Sequence, residues 1–182
     1  LADKRVVAMA KKARGDKAGT TAVVVYVENN ALYWGSVGDS RIYLFRGNEL
    51  RCLTRDHNYA MTLQEKVLNG QISQAEADAD PDRESLISFI GMNDVTHIDA
   101  SKQGIALLEG DVILLCSDGL YKSLSAAEIS DVIRQYAGDP SFLPGVLTAT
   151  AFDKDKPHQD NTTVIAIICQ KDSNKQQEEK KS

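Results

Sequence analysis

Three aspartates stand where a β-rich run starts or stops, and they are the residues that could do chemistry together. Asp39 follows ALYWGSVG, Asp118 follows VILLCS, and Asp160 comes just before TTVIAII. If the second and third runs pair antiparallel, the end of one strand lies beside the start of the other, and Asp118 and Asp160 share one rim of a sheet. Clustered carboxylates stay ionised beside a divalent cation, and oxygen ligands suit magnesium or manganese. The alternative is that Gly38-Asp39-Ser40 and Asp118-Gly119 are ordinary turns.

Several other kinds of catalytic site are excluded because their motifs are missing from the sequence. It has no G-x-x-x-x-G-K-[ST] or G-x-G-x-x-G for nucleotides, no G-x-S-x-G nucleophile elbow and no H-E-x-x-H zinc motif. The three histidines, His57, His97 and His158, include no pair at helical or zinc-finger ligand spacing. A calcium-binding domain is disfavoured because no D-x-[DN]-x-[DN]-G loop is present.

The first part of the chain predicts one helix and then the strands that position Asp39. Residues 1–14 carry apolar side chains at helical spacing, and Gly15 to Gly19 end that helix. Four β-rich runs follow, at 20–28, 31–37, 41–46 and 49–53. Asn29-Asn30 predicts a two-residue hairpin turn between the first two, and we interpret the four runs as one antiparallel meander.

The second part of the chain predicts the elements around Asp118 and Asp160. Helices are predicted at 59–69, from Ser73, from Ser125 to Gly138, and at 141–151, with S-x-x-E capping boxes at Ser73 with Glu76 and Ser125 with Glu128. Strands are predicted at 95–99, 112–117 and 162–169, and 112–117 reads as buried on both faces. Residues 171–182 have nothing to bury and predict a solvated tail or linker.

The composition predicts one soluble globular domain. The chain has 182 residues, of which 42% are hydrophobic and 26% charged. The predicted order of elements is strands, helices, strands, helices and a last strand, and short hairpin links join the early strands. This order favours a layered α+β fold with antiparallel sheets. The net charge of -5 argues against a nucleic-acid partner.

The cysteines and apolar runs indicate a cytoplasmic protein. Cys52, Cys116 and Cys169 lie far apart in strand-like runs, so we expect buried free thiols in a reducing compartment. No apolar run approaches the roughly 20 residues of a membrane span, and no secretory leader is visible. Because the chain opens with Leu1 rather than Met, we expect it to be a piece of something longer.

The ordered motifs of this sequence resemble the metal-dependent serine/threonine protein phosphatases of type 2C, in their compact bacterial form. The matching segments, across roughly residues 15 to 169, are GTTA (19–22), VGDSRIYLFRGNELRCLTRDH (37–57), LNGQIS (68–73), GDVILLCSDGLYKSLSAAEI (110–129) and DNTTVIAI (160–167). The resemblance implies a four-layer αββα sandwich with two central antiparallel sheets, in agreement with the layered α+β prediction.

The resemblance also implies a reaction. In that family a pair of magnesium or manganese ions holds a bridging water that attacks the phosphorus of phosphoserine or phosphothreonine, without a covalent phosphoenzyme. By motif, Asp118 and Asp160 match ligands of the metal pair, and Asp39 matches a ligand of an additional metal site. Asn161, Thr20 and Thr21 are expected to shape the rim, and residues 58–91 match a mobile flap that influences substrate choice.

Two departures from the family pattern bear on activity. The family begins earlier, with strands and an Asp-Gly-x-Gly-Gly stretch whose Asp bridges both metals, and this stretch is not in the sequence. We therefore expect residues 1–170 to form a phosphatase-like domain incomplete at its N-terminus. Lys122 stands where the family has another Asp for the additional metal. We expect that site to be weak or absent, unless Lys122 points to solvent.

The first functional hypothesis is therefore a metal-dependent phosphatase acting on phosphoserine and phosphothreonine in proteins, with these residues alone weakly active or inactive. It implies a phosphorylated protein substrate and an opposing serine/threonine kinase. The alternative is a non-catalytic phosphatase-like binding or regulatory module. Neither hypothesis involves nucleic acid or a membrane, and exposed sheet edges would favour self-association.

Overall fold

The computed structural model describes residues 1–12, 18–136 and 141–170. In chain order the helices and strands are α1 (Ala2–Lys12), β1 (Ala22–Glu28), β2 (Ala31–Val37), β3 (Arg41–Arg46), β4 (Glu49–Cys52), α2 (Tyr59–Leu68), α3 (Gln74–Ala79), β5 (Asp99–Ala100), β6 (Ile105–Ala106), β7 (Val112–Cys116), α4 (Asp118–Ser123), α5 (Ala126–Tyr136), α6 (Leu143–Phe152) and β8 (Val164–Ile168). The predicted α+β class is confirmed.

The strands form two antiparallel sheets. Sheet I has the order β1-β2-β5, with β6 also paired to β2, and sheet II has the order β4-β3-β7-β8. The predicted hairpin is confirmed, because β1 and β2 pair from Ala22 with Val37 to Glu28 with Ala31. Asn29 and Asn30 both have positive φ, which suits a two-residue turn between twisted strands.

The prediction of one four-stranded meander is wrong. β2 and β3 belong to different sheets, and Gly38, Asp39 and Ser40 form the corner that takes the chain from sheet I to sheet II. Gly38 has φ +99°, and a Cβ there would lie 2.4 Å from Thr21 Cγ2. The sequence pattern marks where strands end but does not show which strands pair, so a sheet change looked like a hairpin turn.

Sheet II separates two hydrophobic cores. Alternate residues of β3 and β7 pack on one face against sheet I, in the cluster Leu32, Ile42, Leu44, Leu107, Ile113 and Leu115. The other face packs against α4, α5 and α6, with Val112 and Leu114 of β7 meeting Leu120, Ile133 and Leu147. All five residues of β7 are buried, so its predicted burial on both faces is confirmed.

The outer face of sheet I is largely open among the described residues. Val24, Tyr26 and Tyr33 are 62%, 57% and 37% exposed. α1 has no buried residue, and it contacts the end of the flap, where Asp3 Oδ1 accepts a hydrogen bond from the Gly91 amide at 2.7 Å. The helical layer on sheet II is therefore closely packed, whereas the surface of sheet I is apolar and accessible.

Both predicted capping boxes are confirmed. Ser73 and Glu76 exchange side-chain and backbone hydrogen bonds at the start of α3, and Ser125 and Glu128 do the same before α5. The predicted stop of α5 at Gly138 lies outside the described residues, as do Gly15 and the predicted tail at 171–182.

The predicted strand at 95–99 and the predicted burial of the cysteines need correction, and one short helix was not predicted. The predicted strand at 95–99 reduces to the two-residue strand Asp99–Ala100, and the short helix α4 was not predicted. Cys52 is exposed rather than buried, because β4 is the edge strand of sheet II, while Cys116 is buried and Cys169 is partly buried. All three cysteines are free thiols, as expected.

Among the residues that the structure describes, no helix combines the length and the apolar character needed to cross a bilayer.

The packing of β7 gives the first testable prediction. Leu114 is fully buried between sheet II and the helices, so Leu114→Ala should lower the free energy of unfolding by about 2–5 kcal/mol through lost burial and a residual cavity. Ile165 of the adjacent strand is 54% exposed, and Ile165→Thr, which keeps a β-branched side chain, should cost less than about 1 kcal/mol. Urea denaturation measures both, and equal effects would contradict the assignment of these two faces.

Candidate functional site

The pairing of β7 with β8 brings the segments that carry Asp118 and Asp160 together. The two strands are antiparallel, and Cys116 at the end of β7 faces Val164 at the start of β8. The pairing continues beyond the strands, because the Ser117 amide donates to the Thr163 carbonyl at 3.1 Å. The sequence prediction that these strands pair antiparallel is confirmed.

Gly119 allows the two segments to approach closely. A Cβ at this position would lie 2.5 Å from the Asn161 carbonyl oxygen, a contact that a real side chain could not make. The Ser117 hydroxyl links the same segments, donating to the Asn161 carbonyl at 3.2 Å and accepting from the Thr163 amide at 2.9 Å. Backbone thus meets backbone at this rim, as the small residues flanking Asp118 predicted.

Asp118 and Asp160 line one pocket. Asp118 is the first residue of α4, and Asp160 precedes β8, where its Oδ1 accepts a hydrogen bond from the Asn161 amide at 2.7 Å. The pocket has a volume of about 230 Å³, and its lining also includes Lys122, Lys156 and His158. Two carboxylates from distant parts of the sequence therefore border the same small volume.

Lys122 points toward this site rather than away from it. Its Nζ lies 2.7 Å from Oδ2 of Asp118 and 3.9 Å from Oε2 of Glu84 in the flap. Partial burial acts to lower the pKa of Lys122, but the hydrogen bond to Asp118 and the negative charges of Asp118, Asp39 and Glu84 together outweigh it, so the pKa is raised. An ammonium group thus already neutralises one of the two carboxylates.

Asp39 lies nearby but outside the lining of that pocket. Its side chain is only 7% exposed. Burial raises the pKa of the Asp39 carboxyl, the negative charge of Asp118 raises it further, and the positive charge of Lys122 acts in the opposite direction. Asp39 and Asp118 are therefore close enough for their charges to repel, although their sequence positions are far apart.

The corner that carries Asp39 is anchored from two sides. The Tyr121 hydroxyl of α4 donates to the Asp39 carbonyl at 2.9 Å, and the hydroxyls of Thr21 and Ser40 are 2.8 Å apart. These bonds attach the corner both to the helix that begins with Asp118 and to sheet I. The three sequence-predicted aspartates are thus held in one region of the molecule.

Sequence reasoning missed an ion pair that supports this region. Arg41 makes two hydrogen bonds to the Asp56 carboxylate, at 2.9 and 2.6 Å, and its guanidinium carbon lies 3.5 Å from the centre of the Tyr121 ring. The motifs quoted above contain all three residues, but a motif does not show which polar groups meet. The same holds for His57, which bonds to Gly38.

Two of the rim residues, Thr20 and Asn161, make their contacts through the backbone, and Thr21 makes its contact through the side-chain hydroxyl. Thr20 pairs with Ile90 at the end of the flap, Thr21 holds Ser40, and Asn161 offers its carbonyl to Ser117. Their expected role in shaping the rim stays a prediction.

The carboxylates partly fit a divalent cation. No group of three or more His, Cys, Asp or Glu side chains positioned to hold a metal occurs within residues 1–12, 18–136 and 141–170. Hard cations such as magnesium, however, keep several waters and need only one or two protein carboxylates. Asp118 and Asp160, which face one pocket, meet that smaller requirement.

Comparison with known proteins identifies the family. The model of the family described as Protein phosphatase 2C matches residues 2–66. A serine/threonine phosphatase of the PPM type from Mycobacterium smegmatis, solved with cacodylate, is 30% identical, with a TM-score of 0.68 over 92% of this chain and 69% of its own. The chain belongs to the protein phosphatase 2C family.

Two further relatives extend this finding. Protein phosphatase PhpP of Streptococcus pneumoniae is 34% identical over 150 residues, which are 82% of this chain and 57% of PhpP. The catalytic domain of the serine/threonine protein phosphatase PstP, solved with two manganese ions, is 25% identical, with a TM-score of 0.64 over 92% of this chain and 66% of that domain. The chain thus spans little more than half the length of the pneumococcal relative.

Asp39 gives the second testable prediction. Because the folded-state pKa of this carboxyl lies above its ordinary value of 3.8, the buried charge destabilises the fold at neutral pH, and the penalty disappears as the pH falls through the raised pKa. Without metal at pH 7, Asp39→Asn should therefore raise the unfolding temperature, because it removes the buried charge.

Differential scanning calorimetry from pH 7 to pH 4 checks this, and the gain should shrink toward the acid end. The control is Asp94→Asn, whose exposed side chain makes no hydrogen bond or ion pair with the described residues and should leave the unfolding temperature unchanged. A lower unfolding temperature for Asp39→Asn at pH 7 would show that the Asp39 charge does not destabilise the folded protein.

Proposed function

We propose that this protein is a metal-dependent phosphatase that hydrolyses phosphoserine and phosphothreonine in proteins. The observation that carries the proposal is the convergence of Asp118 and Asp160 on one pocket at the joined ends of β7 and β8. Membership of the protein phosphatase 2C family and the two manganese ions in the PstP catalytic domain support it.

The chain's own groups have defined parts in this reaction. The chemistry that bound divalent ions would supply is activation of a water and neutralisation of charge on the phosphoryl oxygens. Asp118 and Asp160 would hold a cation through carboxylate oxygens, and Gly119 and Ser117 keep the two segments at a fixed separation. The pocket lining also includes Lys156, whose positive charge would attract a phosphate group.

The cations in this proposal are magnesium or manganese, and two are expected in the intact domain. An additional cation at Asp39 would have to displace the Lys122 ammonium from Asp118. Because this displacement would break the hydrogen-bonded ion pair between Lys122 and Asp118, it is unfavourable. We therefore propose that the additional site is weak or absent.

The substrate in this proposal is a phosphorylated protein, and the reaction opposes a serine/threonine kinase. Residues 58–91 form the flap that influences substrate choice, and they include α2 and α3. Glu84 of the flap approaches Lys122, so the flap borders the proposed reaction site. We place the protein in the cytoplasm, where its three free thiols would stay reduced.

A second candidate function, a phosphatase-like module that binds without catalysis, is favoured by one observation. The Lys122 ammonium already satisfies Asp118 at 2.7 Å, so a stable fold at this site does not depend on a cation. Calorimetric titration of the protein with manganese separates the two candidates. Heat of binding that disappears in Asp118→Asn supports the phosphatase, and no heat supports the module.

Self-association gives the third testable prediction. β1 is the edge strand of sheet I, and its open face presents Val24 and Tyr26. Such an edge and face favour pairing with a second copy, so we expect a dimer at micromolar concentration. Tyr26→Lys should shift the protein to monomer, while Leu68→Lys, at a site 78% exposed on α2, should not. Size-exclusion chromatography that shows a wild-type monomer would contradict this proposal.

The catalytic proposal gives the fourth prediction. In the domain completed at its N-terminus, Asp118→Asn and Asp160→Asn should each reduce manganese-dependent phosphate release from a phosphothreonine peptide by at least about 100-fold. Changing a partner of a metal ligand already costs 10–100-fold, and these residues would be the ligands themselves. Asp131→Asn, which removes a carboxylate on exposed α5, should keep wild-type activity. If manganese binds and both Asn variants release phosphate at the wild-type rate, the assigned ligands are wrong.

A further inference from the structure

His57 is a buried side chain to which the reaction described above assigns no part. It is 3% exposed and lies in the loop between β4 and α2. It makes two hydrogen bonds to a single residue of the corner. The Gly38 amide donates to His57 Nδ1 at 3.1 Å, and the His57 amide donates to the Gly38 carbonyl at 3.0 Å. Both backbone polar groups of Gly38 are thereby held by one histidine.

The same histidine also lies next to the first residue of the flap and hydrogen-bonds to the flap near its other end. The Ile87 amide donates to the His57 carbonyl at 3.0 Å, and the Tyr59 amide donates to the Ser85 carbonyl at 2.9 Å. Asn58 and Leu86 form a backbone bridge between these two bonds. The start of the flap is therefore paired with its far end at His57. One residue joins the flap on one side and the residue before Asp39 on the other.

The hydrogen-bond geometry requires a neutral imidazole. Because Nδ1 accepts from an amide, its lone pair must be free and the ring proton must be on Nε2. Burial lowers the pKa of His57, which favours the neutral form. Among the charged groups that face it, Asp99 raises the pKa, and His97, whose ring centre is 5.9 Å away, and Arg55 lower it.

We propose that His57 is a positioning residue whose Nδ1 acceptor fixes the Gly38–Asp39 corner to the base of the flap. Tyr121 holds the Asp39 carbonyl and Thr21 holds Ser40, whereas the bonds to the Gly38 backbone come from His57. A displacement of the flap base that breaks the His57 contacts releases the backbone next to Asp39. The flap and the carboxylate region are then coupled through one residue, whose backbone holds the flap and the Gly38 carbonyl and whose Nδ1 holds the Gly38 amide. The consequence for catalysis rests on the proposed phosphatase function, but the coupling itself does not.

The first test uses the wild-type protein. In ¹⁵N-labelled protein at pH 7, NMR should show His57 with an unprotonated Nδ1 and a protonated Nε2. A scalar coupling across the hydrogen bond should connect Nδ1 with the Gly38 amide nitrogen. A proton on Nδ1, in either the neutral or the charged ring, would overturn the proposal without any variant having to fold.

The second test compares two substitutions by hydrogen–deuterium exchange. His57→Leu keeps an apolar side chain of similar bulk but removes the acceptor, and it should speed exchange about fivefold both at 37–41 and at 84–91. His57→Asn places an amide oxygen near the position of Nδ1 and should restore slow exchange in both segments. Faster exchange in only one segment, or equal exchange in the Leu and Asn variants, would show that His57 does not couple them.

Activity measurements separate this inference from the proposed function. If the protein is a phosphatase, His57→Leu should change kcat and KM for a phosphothreonine peptide together, and His57→Asn should recover most of both. If the wild-type domain, completed at its N-terminus, has no phosphatase activity with manganese, the proposed function fails while the exchange result still decides the coupling. If His57→Leu speeds exchange in both segments but leaves kcat and KM unchanged, His57 makes only a structural contact and its positioning role is overturned.

Discussion

The backbone pairing of β7 with β8 is the constraint on which the rest of the structure depends. Five residues pair in sequence from Val112 with Ile168 to Cys116 with Val164. A slip by one residue would turn every side chain of a strand to the opposite face. Because β7 is buried on both faces, such a slip would disrupt the core under the helices and the core between the sheets together. The hydrophobic cores thereby fix where Asp118 and Asp160 meet.

The site combines this rigid frame with charges that oppose one another. Asp39 is buried and is repelled by Asp118, while Lys122 attracts both. Among the described residues this lysine is the basic group that hydrogen-bonds directly to Asp118. Under the proposed function, a divalent cation would bind this carboxylate with greater charge, so the cation and the Lys122 ammonium would compete for Asp118. We therefore expect the strength of cation binding to depend on whether Lys122 leaves Asp118.

Much of the fold could be predicted from the sequence because the signals are local. The Asn29-Asn30 turn, both capping boxes and the buried run 112–116 each follow from short-range chemistry. The change of sheet at Gly38 could not be predicted, because strand partners are chosen by packing of distant residues.

The candidate site could likewise be predicted only in part from the sequence. The position of Asp118 and Asp160 at one rim followed from antiparallel pairing, since both flank strands that the sequence marks clearly. The contacts of His57, Tyr121 and Arg41 could not be predicted, because each depends on the three-dimensional approach of loops that no periodicity records. The orientation of Lys122 was left open by the sequence and is settled by its bond to Asp118.

The central claim is that Asp118 and Asp160 bind the same divalent cation at the joined ends of β7 and β8. Its most direct test is a crystal structure of the protein grown with manganese, with the ion located by its anomalous scattering. We predict an ion about 2.1 Å from a carboxylate oxygen of each aspartate, the distance typical of small hard cations. A manganese ion bound elsewhere, or an empty pocket with Lys122 still bonded to Asp118 at saturating manganese, would contradict the claim.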